Sequence, residues 1–208
     1  MSNYSSPDHW SLKAQKEGYP ARSVYKLMEM DQKFNLLKPR RLPFNVLDLG
    51  AAPGSWSLYI LRKFKPSSLS LVSVDLSPLS QQHGLFDRPD FLFIQGDFTS
   101  QEVREAILSR GPYNLLVSDA APATTGNRSL DTLRSLELAE TALDYAGASL
   151  AQGGNLVIKV FQGGDTGALL KKMRGLFESA RAFKPQACRS ESFETYYLGL
   201  GRISGNSQ

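Results

Sequence analysis

The chain has 208 residues, 41% of them apolar, enough for one well-cored domain and short for two. No apolar run is long enough to span a bilayer, and the polar stretch Met1–Trp10 does not read as a secretion signal. One cysteine, Cys188, and two histidines, His9 and His83, exclude an intramolecular disulfide framework, a Cys-x-x-Cys pair and a histidine-based metal centre. A reducing, cytoplasmic setting with no membrane association is therefore expected. The net charge of +4 is spread unevenly: 8 basic against 4 acidic residues over 1–41, 9 against 12 over 42–160, and 7 against 4 over 161–208. Basic flanks around an acidic middle fit a polyanionic partner as well as they fit ordinary solvated lysines.

In chain order, Tyr19-Pro20-Ala21-Arg22-Ser23 predicts a helix start, with Pro20 in the first turn. Val24, Leu27 and Met28 fall on one face of that helix, and Arg22, Lys26, Glu29 and Lys33 on the other, a cationic face turned to solvent or to a substrate. From residue 44 short apolar runs alternate with helical patterns. Phe44–Leu49, Leu69–Val74, Phe91–Ile94, Leu115–Val117 and Leu156–Val160 predict buried parallel strands. Trp56–Phe64, Gln101–Arg110, Leu130–Leu150 and Leu169–Glu178 predict the helices. Ala180–Phe183 and Tyr196–Gly201 add two last strands, the final one antiparallel, before a Gly/Ser/Asn tail over 204–208. The pattern predicts an α/β fold, a Rossmann-like, mostly parallel seven-stranded sheet with helices on both faces. We expect one domain over 1–208: a basic helical segment at 1–41, a core at 42–203 and the tail.

The first strand runs into Asp48-Leu49-Gly50-Ala51-Ala52-Pro53-Gly54-Ser55-Trp56, a small-residue turn opening a helix, where backbone can approach a ligand closely. It is neither Gly-x-Gly-x-x-Gly nor a phosphate-binding loop. Asp75 closes the second strand, placed to accept ribose hydroxyls, and Asp97 follows the third, placed to meet an adenine amino group. Taken singly, Asp48, Asp75 and Asp97 also suit caps of the helices that follow, and Trp56 also suits the core. Three such aspartates in succession fit a crevice along the strand ends better. Pro53 removes an amide that a pyrophosphate would use, whereas a nucleoside with an amino-acid tail, such as S-adenosylmethionine, makes no such demand.

The fourth strand ends in Ser118-Asp119-Ala120-Ala121-Pro122, and the fifth carries Lys159 inside an apolar run, a costly position unless the lysine is paired or functional. Asp119 and Lys159, at the ends of consecutive strands, should converge on one crevice. Lys26 and Glu194 join them as a second acid–base pair. A buried structural ion pair is the competing explanation for Asp119 and Lys159.

These segments together resemble the FtsJ-type ribose 2′-O-methyltransferases that act on RNA, over nearly the whole chain. The resemblance rests on Arg22-Ser23-Val24-Tyr25-Lys26-Leu27, the 48–56 loop with Ser55 where a second glycine is usual, Ser118–Pro122, Ile158-Lys159-Val160-Phe161-Gln162-Gly163 and Glu194-Thr195-Tyr196. It implies a catalytic tetrad of Lys26, Asp119, Lys159 and Glu194. It also implies S-adenosylmethionine held by Gly54, Trp56, Asp75, Asp97 and Asp119, with no metal. Within the family the bacterial branch acting on uridine in 23S, large-subunit ribosomal RNA is the nearer in length and plan, with the tRNA anticodon-loop branch as neighbour. A monomer working on RNA within the large ribosomal subunit is the expectation.

The chemistry suits the residues. Methyl transfer to a ribose hydroxyl needs in-line placement and removal of one proton, and Lys159 takes that proton only as the free amine. A nicotinamide-dependent oxidoreductase would share the crevice but gives Lys26 and Glu194 no work. A catalytically silent RNA-binding module would not require all four tetrad residues.

Overall fold

The computed structural model describes residues 8–80, 84–163, 166–189 and 192–204; His83 and the tail from 205 onward lie outside the described residues. Among the described residues, six helices and seven strands follow in the order α1 (His9–Lys16), α2 (Val24–Phe34), β1 (Phe44–Leu49), α3 (Ser55–Lys63), β2 (Leu69–Asp75), β3 (Phe91–Gln95), α4 (Gln101–Leu108), β4 (Tyr113–Ser118), α5 (Arg128–Ser149), β5 (Leu150–Phe161), α6 (Thr166–Arg174), β6 (Phe177–Phe183) and β7 (Glu194–Arg202). A short 3-10 turn spans Gly84–Asp87. The strands form one sheet in the order β3-β2-β1-β4-β5-β7-β6. All pairs are parallel except those made by β7, which runs antiparallel to β5 and β6. The strand order reverses direction between β1 and β4, and at such a switch point the loops diverge and leave a crevice at the strands' C-terminal ends.

The buried residues divide across the sheet. Val46, Leu71, Leu115 and Val157 face α2 and α3 through Leu27, Met30 and Ile60. Leu47, Val72, Leu116 and Ile158 face the other way, with Ala142 and Tyr145 of α5, Ile107 of α4 and Met173 of α6. Both faces of the central strands are covered, so β1, β2 and β4 read as mainly apolar runs and not as strict alternation. The helix starts carry their own stops for free amides: Asp8 accepts from Ser11 N (2.8 Å), and Asn127 from Ser129 N and Leu130 N.

Several expectations change here. α1 has no apolar period to announce it; Trp10 anchors it by packing on Tyr25, ring centroids 5.0 Å apart. Glu178 belongs to β6 and not to the preceding helix, because the chain turns at Gly175-Leu176. β5 begins six residues earlier than its apolar run, its first half carrying Gly153 and Gly154 across a register shift against β4. The face of α2 expected to meet solvent or a substrate divides: Lys33 is exposed whereas Lys26 is buried, and Met28, expected on the apolar face, is only half-buried.

Candidate active site

At the C-terminal ends of β1 to β4 lies a crevice of about 600 Å3. Gly50, Ala52, Asp75, Asp97, Asp119 and Ala120 line it, and α5 closes its far wall with Arg134, Glu137 and Thr141. Gly50 has φ +73°, and a Cβ there would stand 2.5 Å from the Ala120 Cα, so only glycine lets the loop after β1 come down on the loop after β4. Asp75 braces the same loop, accepting from Ala52 N at 2.9 Å and from Ser77 N at 2.8 Å. Asp97 accepts from Thr99 N and Thr99 Oγ1 through one carboxylate oxygen, an Asx turn that fixes the side chain at the crevice wall. Both aspartates therefore hold local structure and line the crevice at once.

Gly54 and Trp56 do not line it. Gly54 has φ +106°, and a Cβ would meet the Phe86 ring at 2.7 Å. Trp56 is 2% exposed and donates its Nε1–H to Ser23 O at 2.8 Å. Ser55, where the family's second glycine is usual, accepts from Ala21 N at 2.7 Å. Ser55 and Trp56 thus clamp the segment that leads into α2, which fixes the position of Lys26. What this stretch can turn to a ligand is the first-turn amides of α3.

The tetrad assembles beside the crevice. Lys26 is 9% exposed and its Nζ lies 2.7 Å from Glu194 Oε1. Lys159, also 9% exposed, has its Nζ 3.1 Å from Asp119 Oδ1 and donates to the Asp119 carbonyl oxygen as well. Antiparallel register sets Lys159 opposite Tyr196 and Phe161 opposite Glu194, so one face of β5 and β7 delivers Lys159, Tyr196 and Glu194 together. Tyr196 was missed by the sequence reading; its hydroxyl donates to Asp119 Oδ1 at 2.6 Å, and the Lys26 ammonium stands 5.9 Å from its ring centre.

The electrostatics follow from this packing. Burial pushes the Asp119 carboxyl up, but Lys159, Lys26 and the Tyr196 hydroxyl outweigh it and hold the group below the ordinary carboxylate range. Burial likewise pulls Lys26 down, yet Asp119 and Glu194 more than reverse that, so Lys26 stays an ammonium at neutral pH. Burial raises Tyr196 well above the usual phenol value, with Asp119 and Glu194 adding to it, which keeps it a donor. Next to Glu194, burial drives the Cys188 thiol up to about 12. Asp48, grouped with the crevice aspartates by sequence, is instead fully buried beneath the loop and accepts from Ser57 Oγ at 2.7 Å.

Comparison with known proteins agrees with this geometry. The family model for FtsJ-like methyltransferases matches residues 19–202. A protein of Treponema denticola named ribosomal RNA large subunit methyltransferase E is 52% identical over 96% of both chains. One of the same name from Oleidesulfovibrio alaskensis is 45% identical over 93% of this chain and 91% of its own. A crystal structure described as a ribosomal RNA methyltransferase from Plasmodium falciparum superposes with a TM-score of 0.73 at 27% identity, over 89% of this chain and 100% of that one. Human methyltransferase-like protein 13, in complex with SAH, gives 0.55 at 10% identity over 89% of this chain and 81% of its own, a likeness of fold alone. The sheet order, the crevice at its switch point, the four converging charged groups and the match over 19–202 give one answer: the chain belongs to the FtsJ-like methyltransferase family.

Proposed function

We propose that this enzyme transfers a methyl group from S-adenosylmethionine to a ribose 2′-hydroxyl of large-subunit (23S) ribosomal RNA, with uridine as the target nucleotide. The observation that carries the reading is the convergence of Lys26, Asp119, Lys159 and Glu194 beside a crevice lined by Asp75 and Asp97. The crevice suits the cofactor: carboxylates for hydroxyl and amino groups, a loop that glycine alone allows against Ala120, and a volume fit for a nucleoside with a tail. Asp75, Asp97 and Asp119 would hold it, with the α3 amides of Ser55 and Trp56, just past Gly54, beside them. When bound, it supplies an electrophilic methyl on a sulfonium.

The chain's own residues do the rest. Asp119 accepts a hydrogen bond from Lys159 Nζ through its carbonyl oxygen and sets Oδ1 3.1 Å from it as an ion pair, which orients Nζ toward a substrate hydroxyl. As the free amine, Lys159 receives the ribose proton there while the oxygen takes the methyl. Lys26 remains charged beside it and stabilises the oxygen as it loses its proton. Glu194 keeps Lys26 in place, and Tyr196 does the same for Asp119. We take residues 1–41 and 42–203 to act as one methyltransferase unit. We take the monomer as the acting form, since the tetrad and crevice are complete within one chain. Among the described residues no helix is long and apolar enough to cross a membrane. We assign the reaction to the cytoplasm, where its substrate is assembled.

The test is transfer of labelled methyl to large ribosomal subunits, followed by alkaline digestion and mapping. A 2′-O-methyl group blocks attack on the adjoining phosphodiester, so the label should emerge in one alkali-resistant dinucleotide. Label in alkali-labile mononucleotides would overturn the ribose assignment, and label on tRNA alone would move the substrate to the anticodon-loop branch.

A further inference from the structure

A second, larger cavity, of about 970 Å3, opens at the opposite end of the sheet. Phe44 at the start of β1, Asn114 near the start of β4, the first residues of β5 and Ser179 of β6 line it, so it shares no residue with the crevice. Lys38, Arg40 and Arg41 project from the loop between α2 and β1 at its rim, all exposed. Asn114 and Asn155 have their side-chain oxygens taken by backbone amides, from Asn45 at 2.8 Å and Gly201 at 3.0 Å. What each has left to offer is its NH2 donor.

The cationic surface continues past the rim. Phe34, also a lining residue, packs edge-on against Phe183 at 5.4 Å. The Lys33 ammonium lies 4.4 Å from the Phe183 ring centre, and Arg181 lies 5.8 Å from that of Phe34. Among the described residues no carboxylate forms an ion pair with Lys33, Lys38, Arg40, Arg41 or Arg181, and Glu178 is the one acid lining the cavity. Unmatched cations, amide donors and interleaved aromatic rings are the chemistry that grips a nucleic-acid backbone.

We propose that this cavity binds a phosphodiester stretch of the substrate RNA, giving the enzyme a second hold at the end of the sheet remote from methyl transfer. The proposal rests on the RNA reading above. The experiment compares wild type with the Arg40→Ala/Arg41→Ala double variant, both side chains being exposed, for binding to a large-subunit ribosomal RNA fragment across a salt series. The variant should bind about tenfold more weakly with a salt slope shallower by roughly two. Its melting temperature, cofactor affinity and turnover at saturating RNA should be unchanged. Equal affinity and equal slope in the two proteins would overturn the second hold while leaving the methyltransferase reading intact. Inorganic phosphate that raises the wild-type melting temperature and not the variant's, with RNA affinity unaltered, would mark a small-anion site and overturn it equally. No RNA binding by wild type would remove both readings together.

Discussion

The two ends of the sheet handle positive charge in opposite ways. At the C-terminal end Lys26 and Lys159 are nearly buried and each has its own carboxylate, with Tyr196 fixing one of the two acids. At the other end Lys38, Arg40 and Arg41 stand in water with a single acid, Glu178, among the cavity's lining residues. Burying a charge is costly unless it is paired, so a buried, paired cluster is held for what it does locally. Exposed, unmatched cations cost little to keep and attract a polyanion over a distance set by salt. One end is built for a proton, the other for phosphate.

The sharpest way to break that contrast is to leave a buried cation unmatched. Asp119→Ala strands Lys159, while Lys26 keeps Glu194, so it should cost about 3–5 kcal/mol of stability and abolish turnover and cofactor binding alike. A melting curve beside the methyl-transfer assay reads both, and an active, normally melting variant would show that the pairs are dispensable. Asp75→Ala lies on the crevice wall, away from the cations. Calorimetry should find S-adenosylmethionine bound about 2–4 kcal/mol more weakly, part of it from loosening the loop at Ala52, with the tetrad unaffected. Tyr196→Phe removes one donor from Asp119. Its carboxyl then rises but stays ionised at neutral pH, held by Lys159 and Lys26, and turnover should fall roughly tenfold because Asp119 is less firmly placed against Lys159. Wild-type turnover in the variant would mean that Tyr196 only fills space.

A smaller effect comes from Asp48, under the cofactor loop. Burial drives this carboxyl up to about 7 from 3.8, against the opposing pull of the Ser57 hydrogen bond, with Asp119 and Asp75 adding to the rise. Between those values the folded protein keeps a proton that the unfolded chain has released, so stability falls as pH climbs through the window. Asp48→Asn removes that loss. Its melting temperature relative to wild type should be lowest near pH 4, where the amide only fits the Ser57 hydroxyl less well, rise up to about pH 7 and level off there. A pH-independent difference would contradict the buried acid.

Much of this was legible in the sequence because parallel strands advertise themselves. β1 lies at Phe44–Leu49 as its apolar run predicts, and β2 and β3 end within a residue of theirs. The start of β5 was not legible, since Ala151-Gln152-Gly153-Gly154 has no apolar signal and pairs only through its neighbour's register. Lys26 shows the limit best. A helical wheel puts it on the polar face of α2 with Lys33, but its partners Glu194 and Asp119 come from strands more than ninety residues away. Only the assembled sheet tells a polar face turned to water from one turned to a carboxylate. Tyr196 was hidden for a similar reason: tyrosine suits any strand, and its use lies in the register with Lys159.

The central claim is that Lys159 receives the ribose proton. Because Asp119 keeps Tyr196 and Lys26 as partners, Lys159→Ala should leave the fold largely intact. Measured together, methyl transfer to large-subunit RNA should fall by about 10²–10⁴-fold, with melting temperature, cofactor affinity and RNA affinity close to wild type. A Lys159→Ala protein that melts normally and still methylates RNA at the wild-type rate would contradict the claim, and so would one whose activity falls only in step with its unfolding.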